Sequence, residues 1–367
     1  MSADRFNSVA EVVDEIRAGR MVVICDDEDR ENEGDLIMAA QAATPESIAF
    51  IVRHSSGIIC QSMTRERLDQ LQLPQMVTDN SESHRTAFTV SVDYKHGTTT
   101  GISAADRART IRALADPVSL PSDFARPGHI FPLRYAEGGV LVRAGHTEAA
   151  VDLVRLAGLP ALSGILCEIV NDDGTMKRGA ELFAFARTHG LKIGTIADLI
   201  RHRLATEKTV RRAFEREVET EFGTFKLIGY RDALSPLPYF ALVRGKVDGD
   251  APVLARVHVR DTLSDVLHLK GEGGLTLATA LRRIAEADRG VLVVLADEND
   301  AAGALDRLAA AAPSVAAESP QAWRQHGLGA QILADLGVKR LTVLGTKRRY
   351  LGLSGFGLEI VGYEAAD

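Results

Sequence analysis

The sequence predicts an α/β (α+β) protein of two domains, each with helices packed on a sheet. Three observations support this fold class. The chain has 367 residues, which is long for a single domain. Its composition is ordinary for a globular protein, with 46% hydrophobic and 25% charged residues. Segments with helical spacing alternate with short apolar segments along the whole chain.

The first half begins with a helix at 9–18, which Gly19 ends. Thr44 and Pro45 have the residue types of an N-cap and a first helical residue, so they predict a second helix, which ends at Gly57. Apolar runs, several of them rich in β-branched residues, predict the strands of this half. These strands are expected at 20–25, 36–40, 57–63, 87–94 and 163–170.

Two further helix starts are marked by capping residues. Ser103 and Asp106 form a capping pattern, and Thr147 can cap a helix that Gly158 ends. The helices predicted in this region cover 108–116, 148–158, 179–190 and 195–203. Together these elements describe a layered α-β domain.

Nine of the seventeen residues in 205–221 are charged, and we place the domain boundary there as a charged linker or a solvated helix. The predicted domains are therefore residues 1–204 and residues 222–367. In the second domain, strands are predicted near 224–230, 239–247, 253–259, 290–297, 340–345 and 357–363, and helices at 277–287 and 327–337. The Ala-rich run 309–320 is typical of a flexible connector.

Charge and cysteine content exclude several classes of protein. The formal net charge is −7 and the pI is near 5.9, so a general affinity for nucleic acid is not expected. Cys25, Cys60 and Cys167 are few and far apart, which indicates a reducing, cytoplasmic setting. The N-terminus lacks the features of a signal peptide, and no apolar run approaches 18 residues, so no membrane partner is expected.

The stretch 26–35, DDEDRENEGD, contains seven acidic residues in ten and follows an apolar strand. Carboxylate oxygens are the ligands that Mg²⁺ prefers, and crowded carboxylates raise one another's pKa, which suits proton transfer. Arg30 supplies a cation for a carboxylate or a phosphate, and Gly34 permits a tight turn. On composition alone, a solvated acidic loop is the simpler interpretation.

Four other stretches carry candidate chemistry. Residues 143–147, RAGHT, precede a helix whose free N–H groups suit a phosphate, or they are simply a capped helix start. His129 lies on a loop stiffened by prolines, where it could be a positioned acid or base. Glu168 lies within an apolar strand and requires a partner or an exposed position. Residues 96–103 could line a polar substrate site or form a turn.

In this order, the motifs DDEDRENEGD, HGTTTGISAADRA, RPGHIFPLR, RAGHTEAAVDL and CEIVNDDGTM resemble the 3,4-dihydroxy-2-butanone 4-phosphate synthase family. The resemblance spans nearly all of residues 5–203, and it implies that family's fold with a mixed sheet. It also implies conversion of the phosphosugar D-ribulose 5-phosphate to 3,4-dihydroxy-2-butanone 4-phosphate and formate in riboflavin biosynthesis. A divalent cation, Mg²⁺ or Mn²⁺, and a homodimer are expected from the same resemblance.

The resemblance implies roles for individual residues. Glu31 and His146 would bind the metal. Catalytic importance is implied for His129 and Glu168, and Asp35 or Glu33 could take the C3 proton of the substrate. The substrate contacts implied are Arg30, Glu31, Asp35, Arg143, Ala144, Gly145, His146, Thr147 and Glu168.

Residues 208–367 resemble GTP cyclohydrolase II in segments such as FGTFKLIGYRD and HGLGAQILADLGVKRLTVLG. That family binds zinc through three cysteines, whose places here are taken by Asp261, Glu272 and Gly274, and the chain has no cysteine after Cys167. We therefore expect no zinc and no cyclohydrolase activity, although Arg324 of the family's pattern remains. The domain would then support stability, dimer contacts or regulation.

Two alternatives remain open from the sequence. The protein could be bifunctional, with an atypical metal site in the second domain that also acts on GTP. Ligands for such a site could come from His258, Asp261, Asp265, His268 and Glu272. It could also be a catalytically silent scaffold of the pathway, although the intact motifs of the first domain argue against that.

Overall fold

The computed structural model describes residues 5–27, 30–269, 275–297, 300–309, 320–345 and 356–365. The chain forms two compact units, Met1–Ile200 and Arg201–Asp367. Each unit contains a seven-stranded sheet with helices packed against it. Within the described ranges, no helix is both long enough and apolar enough to cross a bilayer.

The described residues of the first unit form seven strands and six α-helices, and a seventh helix continues into the second unit. The strands are β1 (Val22–Cys25), β2 (Gly34–Ala39), β3 (Cys60–Met63), β4 (Val92–Tyr94), β5 (Phe124–Arg134), β6 (Ser163–Glu168) and β7 (Lys192–Thr195). The helices are α1 (Val9–Arg17), α2 (Pro45–His54), α3 (Arg65–Gln70), α4 (Ala104–Ala115), α5 (His146–Leu156), α6 (Ala180–His189) and α7 (Ile196–Thr206).

The first sheet is mixed, as predicted, with the strand order β4-β5-β3-β6-β2-β1-β7. β2 pairs antiparallel with both β1 and β6, while β3 and β5 are parallel. The register places Asp35 directly opposite Glu168. Residues directly opposite one another point to the same face of a sheet, so these two carboxylates share a face. Gly164 lies on that face, and a Cβ there would meet the Ala150 carbonyl oxygen of α5 at 2.9 Å.

Most of the predicted helix starts are confirmed. Thr44 and Ser47 form a capping box ahead of Pro45, and Ser103 accepts the N–H of Asp106. The prediction that Thr147 caps a helix is wrong. That helix, α5, already starts at His146, and its N-cap is Gly145, whose extended backbone leads into the first turn.

Two predicted segments differ from the structure. The strand expected at 87–94 is regular only over Val92–Tyr94. The segment 126–132 is not a loop but part of the long strand β5. Ile130 pairs with β4, and Phe131 and Pro132 pair with β3, while the register with β4 is irregular between Ala125 and Ile130. The prolines mark an irregular stretch of this strand, because proline cannot donate a ladder hydrogen bond.

The second unit contains seven strands and the helices α8 (Leu277–Glu286), α9 (Asp300–Ala309) and α10 (Pro320–Asp335). Its strands are β8 (Val210–Thr220), β9 (Gly223–Asp232), β10 (Ser235–Arg244), β11 (Val253–Val259), β12 (Gly290–Leu295), β13 (Arg340–Leu344) and β14 (Glu359–Glu364). Their order is β14-β13-β11-β12-β10-β9-β8. The connector predicted over 309–320 lies almost entirely outside the described residues.

The charged segment 205–221 is neither a linker nor a solvated helix over most of its length. It forms the edge strand β8, which pairs antiparallel with β9 from Val210 to Thr220. A tight turn joins the two strands, with φ of +108° at Gly223, a conformation that glycine adopts without strain. Charged side chains on both faces of an edge strand disfavour pairing with other chains, which explains the composition that suggested a linker.

Candidate active site

The acidic loop between β1 and β2 is organised around one buried carboxylate. Asp26, whose side chain is only 1% exposed, accepts the backbone N–H groups of Glu31 and Glu33 at 3.0 and 2.8 Å. It also accepts a hydrogen bond from Arg30 at 3.0 Å, and Arg30 contacts Glu31 at 2.6 Å. Hydrogen bonds to Asp26 therefore hold this part of the loop in a defined conformation. The sequence left Asp26 without a role.

Asp35 is the second residue of β2, the strand that follows the loop, and is 2% exposed. Its Oδ1 atom has no hydrogen-bond partner. The pKa of Asp35 is raised to about 7, mainly by burial; His146 opposes this shift, while the charges of Glu168 and Glu31 add to it. A buried carboxyl group with a free oxygen and a pKa near neutrality is suited to accept and return a proton.

Glu168 lies at the end of β6, across from Asp35. Its Oε2 accepts a hydrogen bond from the Ser56 hydroxyl at 2.6 Å. The partner that the sequence required for Glu168 is thus a serine, which fixes one oxygen of the carboxylate. Glu33 is less free than Asp35, because its Oε1 lies 3.6 Å from the Arg178 guanidinium.

His146 is the first residue of α5 and is buried. Its Nε2 lies 3.1 Å from the Ile24 carbonyl oxygen, and its Nδ1 lies 3.8 Å from both Glu31 and Asp35. Burial alone would lower the pKa of His146, but the neighbouring carboxylates of Asp35 and Glu31 raise it to about 9. Burial likewise opposes ionisation of Glu31, but His146 and Arg30 lower its pKa to about 2.

These side chains fit a divalent cation. Ligand atoms of Asp26, Glu31 and His146 lie within 4.8 Å of one another, and no other group of this kind was found among the described residues. The Ile24 carbonyl oxygen accepts a hydrogen bond from Nε2 of His146, which leaves Nδ1 as the atom that can bind a metal. Metal-binding histidines usually donate their other ring N–H in this way. The free oxygen of Asp35 adds a further donor nearby.

The segment before α5 positions Arg143 at the start of the helix. Its guanidinium donates to Glu148 at 2.7 Å, to the Thr86 hydroxyl at 3.1 Å and to the His84 carbonyl at 3.2 Å. A Cβ at Gly145 would lie 2.5 Å from Nη1 of Arg143, so a larger residue there would displace this guanidinium. The backbone N–H groups of Thr147 and its neighbours lie in the first turn, where helices leave donors free.

His84 was not identified from the sequence. Its Nε2 lies 3.8 Å from Oε1 of Glu31, and its carbonyl holds Arg143. Ala144 completes the segment between Arg143 and the N-cap. No sequence pattern marked His84, because its place depends on a loop that connects two distant motifs.

His129 is not part of this cluster within one chain. It lies on β5, and β6 and β3 separate that strand from β2. Three strand spacings correspond to about 14 Å, which is beyond the reach of a side-chain contact with Asp35. Asp93 on β4 holds His129 instead, with Nδ1 2.7 Å from Oδ2.

Two of the candidate ligands in the second unit, His258 and Asp265, pair with each other. His258 Nε2 lies 2.7 Å from Oδ2 of Asp265, while Oδ1 of Asp265 accepts the Leu277 N–H. Asp261 caps the short helix at 262–266 through Ser264. His268 closes that turn with φ of +54°, and Glu272 and Gly274 lie outside the described residues.

Comparison with known proteins agrees with this architecture. The family model of 3,4-dihydroxy-2-butanone 4-phosphate synthase matches residues 10–202, and that of GTP cyclohydrolase II matches residues 210–365. The 3,4-dihydroxy-2-butanone 4-phosphate synthase of Pseudomonas aeruginosa is 48% identical over 98% of this chain and 99% of its own length.

Two solved structures are similar to the chain. A two-domain 3,4-dihydroxy-2-butanone 4-phosphate synthase from A. baumannii covers 98% of this chain and is itself covered completely, with 42% identity and a TM-score of 0.84. A 3,4-dihydroxy-2-butanone 4-phosphate synthase in complex with two magnesium ions covers 55% of this chain and 98% of its own, with 50% identity and a TM-score of 0.53. The chain therefore belongs to the 3,4-dihydroxy-2-butanone 4-phosphate synthase family.

Proposed function

We propose that the first unit converts D-ribulose 5-phosphate to 3,4-dihydroxy-2-butanone 4-phosphate and formate, as a lyase of riboflavin biosynthesis. The observation that carries the proposal is the cluster of Asp26, Glu31 and His146 beside the buried, partly unpaired carboxyl group of Asp35. A sugar phosphate carries vicinal oxygens that suit such a cluster, and its chemistry requires repeated proton transfer. The family membership agrees with this reading.

Glu31 and His146 would hold Mg²⁺ or Mn²⁺, with Asp26 fixing the loop around them. The cation supplies Lewis-acid stabilisation of negative charge on the sugar oxygens. We assign removal of the C3 proton to Asp35 rather than to Glu33. Asp35 has a free oxygen inside the cluster, whereas Glu33 lies beside Arg178. Glu168, held by Ser56, would serve a later proton transfer.

The start of α5 would bind the phosphate group. Free N–H groups of the first turn and the positive end of the helix dipole favour an anion at this point. Arg143 and Thr147 lie in the same segment, on either side of the N-cap Gly145. Arg30 provides a second guanidinium at the rim of the loop. Binding the phosphate here would position the sugar carbons against Asp35.

We further propose a homodimer in which the second copy brings His129 to the site. Within one chain three strand spacings, about 14 Å, separate the strands of His129 and Asp35, so we infer that the His129 acting beside Asp35 comes from the second copy. Mixing two inactive variants, His129→Ala and Glu31→Ala, tests this directly. Subunit exchange should restore about a quarter of the wild-type sites, because half of the dimers become mixed and each has one intact site. Activity that stays at zero after verified exchange would show that His129 acts within its own chain.

The second unit would have no cyclohydrolase activity and would not bind zinc. The chain lacks the cysteines, and His258 and Asp265 are already paired with each other. We place the protein in the cytoplasm, where its three buried, free cysteines would stay reduced. No nucleic acid or membrane partner is proposed.

The central experiment is incubation of the purified protein with ribulose 5-phosphate and Mg²⁺. Formate and the four-carbon phosphate should both appear, and both should disappear when a chelator removes the metal. Glu31→Ala should reduce the rate by at least about 100-fold, since a lost metal ligand removes several kcal/mol of charge stabilisation. A wild-type protein that forms neither product would refute the proposal.

A further inference from the structure

Asp93 holds His129 at two points. Its Oδ1 accepts the backbone N–H of His129 at 2.9 Å, and its Oδ2 lies 2.7 Å from Nδ1 of the ring. The Asp93 side chain is 14% exposed, while the imidazole is 41% exposed. One carboxylate therefore fixes both the backbone and the ring, and the rest of the ring remains accessible.

The surrounding chain is shaped around this contact. Gly128 donates its N–H to the Ser91 hydroxyl, and a Cβ at Gly128 would lie 2.0 Å from the backbone of Val92. Gly101, with φ of +92°, passes so close to Asp93 that a Cβ would lie 2.1 Å from its carboxylate. Two glycines thus permit the approach of backbone segments that confine the Asp93–His129 pair.

The contact also determines the tautomer of the ring. A carboxylate accepts hydrogen bonds and cannot donate them, so the neutral imidazole must carry its proton on Nδ1. The lone pair of Nε2 is then available on the exposed side of the ring. If Nε2 accepts a proton from the substrate, the imidazolium keeps its hydrogen bond with the ionised Asp93, and the same proton can be returned from Nε2.

From this geometry we propose that Asp93 is a positioning residue for the reaction, which fixes the Nδ1–H tautomer and the ring orientation of His129. The inference rests on the proposed function, because it assumes that Nε2 of His129 exchanges protons with the substrate. Asp93 itself acts only through His129. The competing interpretation is that Asp93 merely holds β5 in place through the backbone N–H.

The substitution Asp93→Asn separates these interpretations. An amide offers one acceptor and one donor where the carboxylate offers two acceptors. If the amide oxygen faces the ring, the NH₂ group faces the backbone N–H of His129. If the oxygen faces the backbone, the NH₂ group faces Nδ1 and requires the opposite tautomer. The isosteric change therefore disturbs either the backbone contact or the tautomer, and a mixture of tautomers is expected.

The chain provides a matched control. Asp123 accepts the Leu120 N–H through Oδ2 and contacts a ring nitrogen of His96 through Oδ1, at 2.8 and 3.0 Å. This pair has the same composition, but the His96 ring is 63% exposed, and the proposed function assigns no role to His96 or Asp123. Asp123→Asn removes an equivalent contact with no expected effect on turnover.

The test uses the full-length protein labelled with ¹⁵N-histidine, at about pH 8.5, where neutral imidazole predominates for a free histidine. Long-range ¹H–¹⁵N spectra of the wild type should show His129 as the Nδ1–H tautomer. In Asp93→Asn that signal should weaken, and kcat should fall about 10- to 100-fold with KM changed less than about threefold. The control Asp123→Asn should keep the wild-type kcat.

Two outcomes would overturn the inference. One is a wild-type His129 that carries its proton on Nε2, a result that needs no variant and does not depend on folding of the mutant. The other is a folded Asp93→Asn protein with the wild-type kcat. Failure of the proposed function is a separate result, because it would appear as a wild type without turnover whatever its histidine tautomer.

Discussion

The two units each contain a buried histidine among carboxylates, but the two arrangements differ in what they leave unpaired. In the first unit, His146 lies 3.8 Å from Glu31 and Asp35, and one oxygen of Asp35 has no partner. In the second unit, His258 and Asp265 lie 2.7 Å apart, and both oxygens of Asp265 accept backbone N–H groups as well. The first arrangement is open to a ligand, and the second is closed.

This difference indicates how buried polar groups can be interpreted. Groups that satisfy one another stabilise the fold, because each lone pair has a donor and little is gained by adding a ligand. Groups that converge without pairing destabilise the fold and are retained where they do chemistry. Substitutions in the two clusters test this comparison. A substitution in the first cluster should lower activity but not stability, and one in the second should lower stability but not activity.

The largest effect is expected for Asp35→Asn. The amide cannot accept the C3 proton, so kcat should fall about 100- to 10,000-fold in a formate-release assay. The unfolding free energy should not fall. The pKa of Asp35 is raised to about 7, so the ionised carboxylate destabilises the folded state at neutral pH, and an uncharged amide removes that cost. A variant that loses stability but keeps its activity would reverse the assignment of this cluster.

The opposite result is expected for Asp265→Ala. It removes the acceptor for the His258 ring and for the Asp261 and Leu277 N–H groups, so the second unit should lose about 3 kcal/mol of unfolding free energy. Urea unfolding measures this loss. Formate release from ribulose 5-phosphate should be unchanged below the unfolding transition. A selective loss of turnover with full stability would show that the second cluster does chemistry.

The smallest effect is expected for Thr44→Ala, which lies in neither cluster. It removes the capping contact at the start of α2 and should lower the unfolding free energy of the first unit by about 1 kcal/mol. Turnover at 25 °C should not change. This variant shows how far a small loss of stability alone affects the formate assay. If Thr44→Ala lost much of its turnover, the low kcat of Asp35→Asn could no longer be assigned to lost proton transfer.

Local patterns in the sequence predicted much of the fold. The capping residues Ser103 and Thr44 and the apolar strands appear in the structure at or near the predicted positions. The segment 205–221 was misread because its charge pattern resembles a solvated segment, and only pairing with β9 makes it a strand. β9 follows directly after a tight turn, but a strand at a sheet edge is stabilised by pairing with its neighbour, which the residue types of β8 alone do not reveal.

Within the candidate site, the sequence identified the acidic loop and the segment 143–147 but not how they are held. Asp26 and Asp93 act through hydrogen bonds to residues chosen by the fold, so their residue types alone could not distinguish them from other carboxylates. His84 likewise reaches Glu31 through tertiary structure. Contacts of this kind depend on register and loop geometry rather than on spacing.

One measurement tests the contrast between the units most directly. The protein is incubated with Mg²⁺, [4-¹³C]ribulose 5-phosphate and GTP that carries deuterium on C8 of the guanine base. The formate produced is then analysed by NMR and mass spectrometry. The first unit should release ¹³C-formate from C4 of the sugar phosphate, and no deuterated formate should arise from GTP. Deuterated formate, or an absence of ¹³C-formate, would contradict an active first unit joined to a silent second unit.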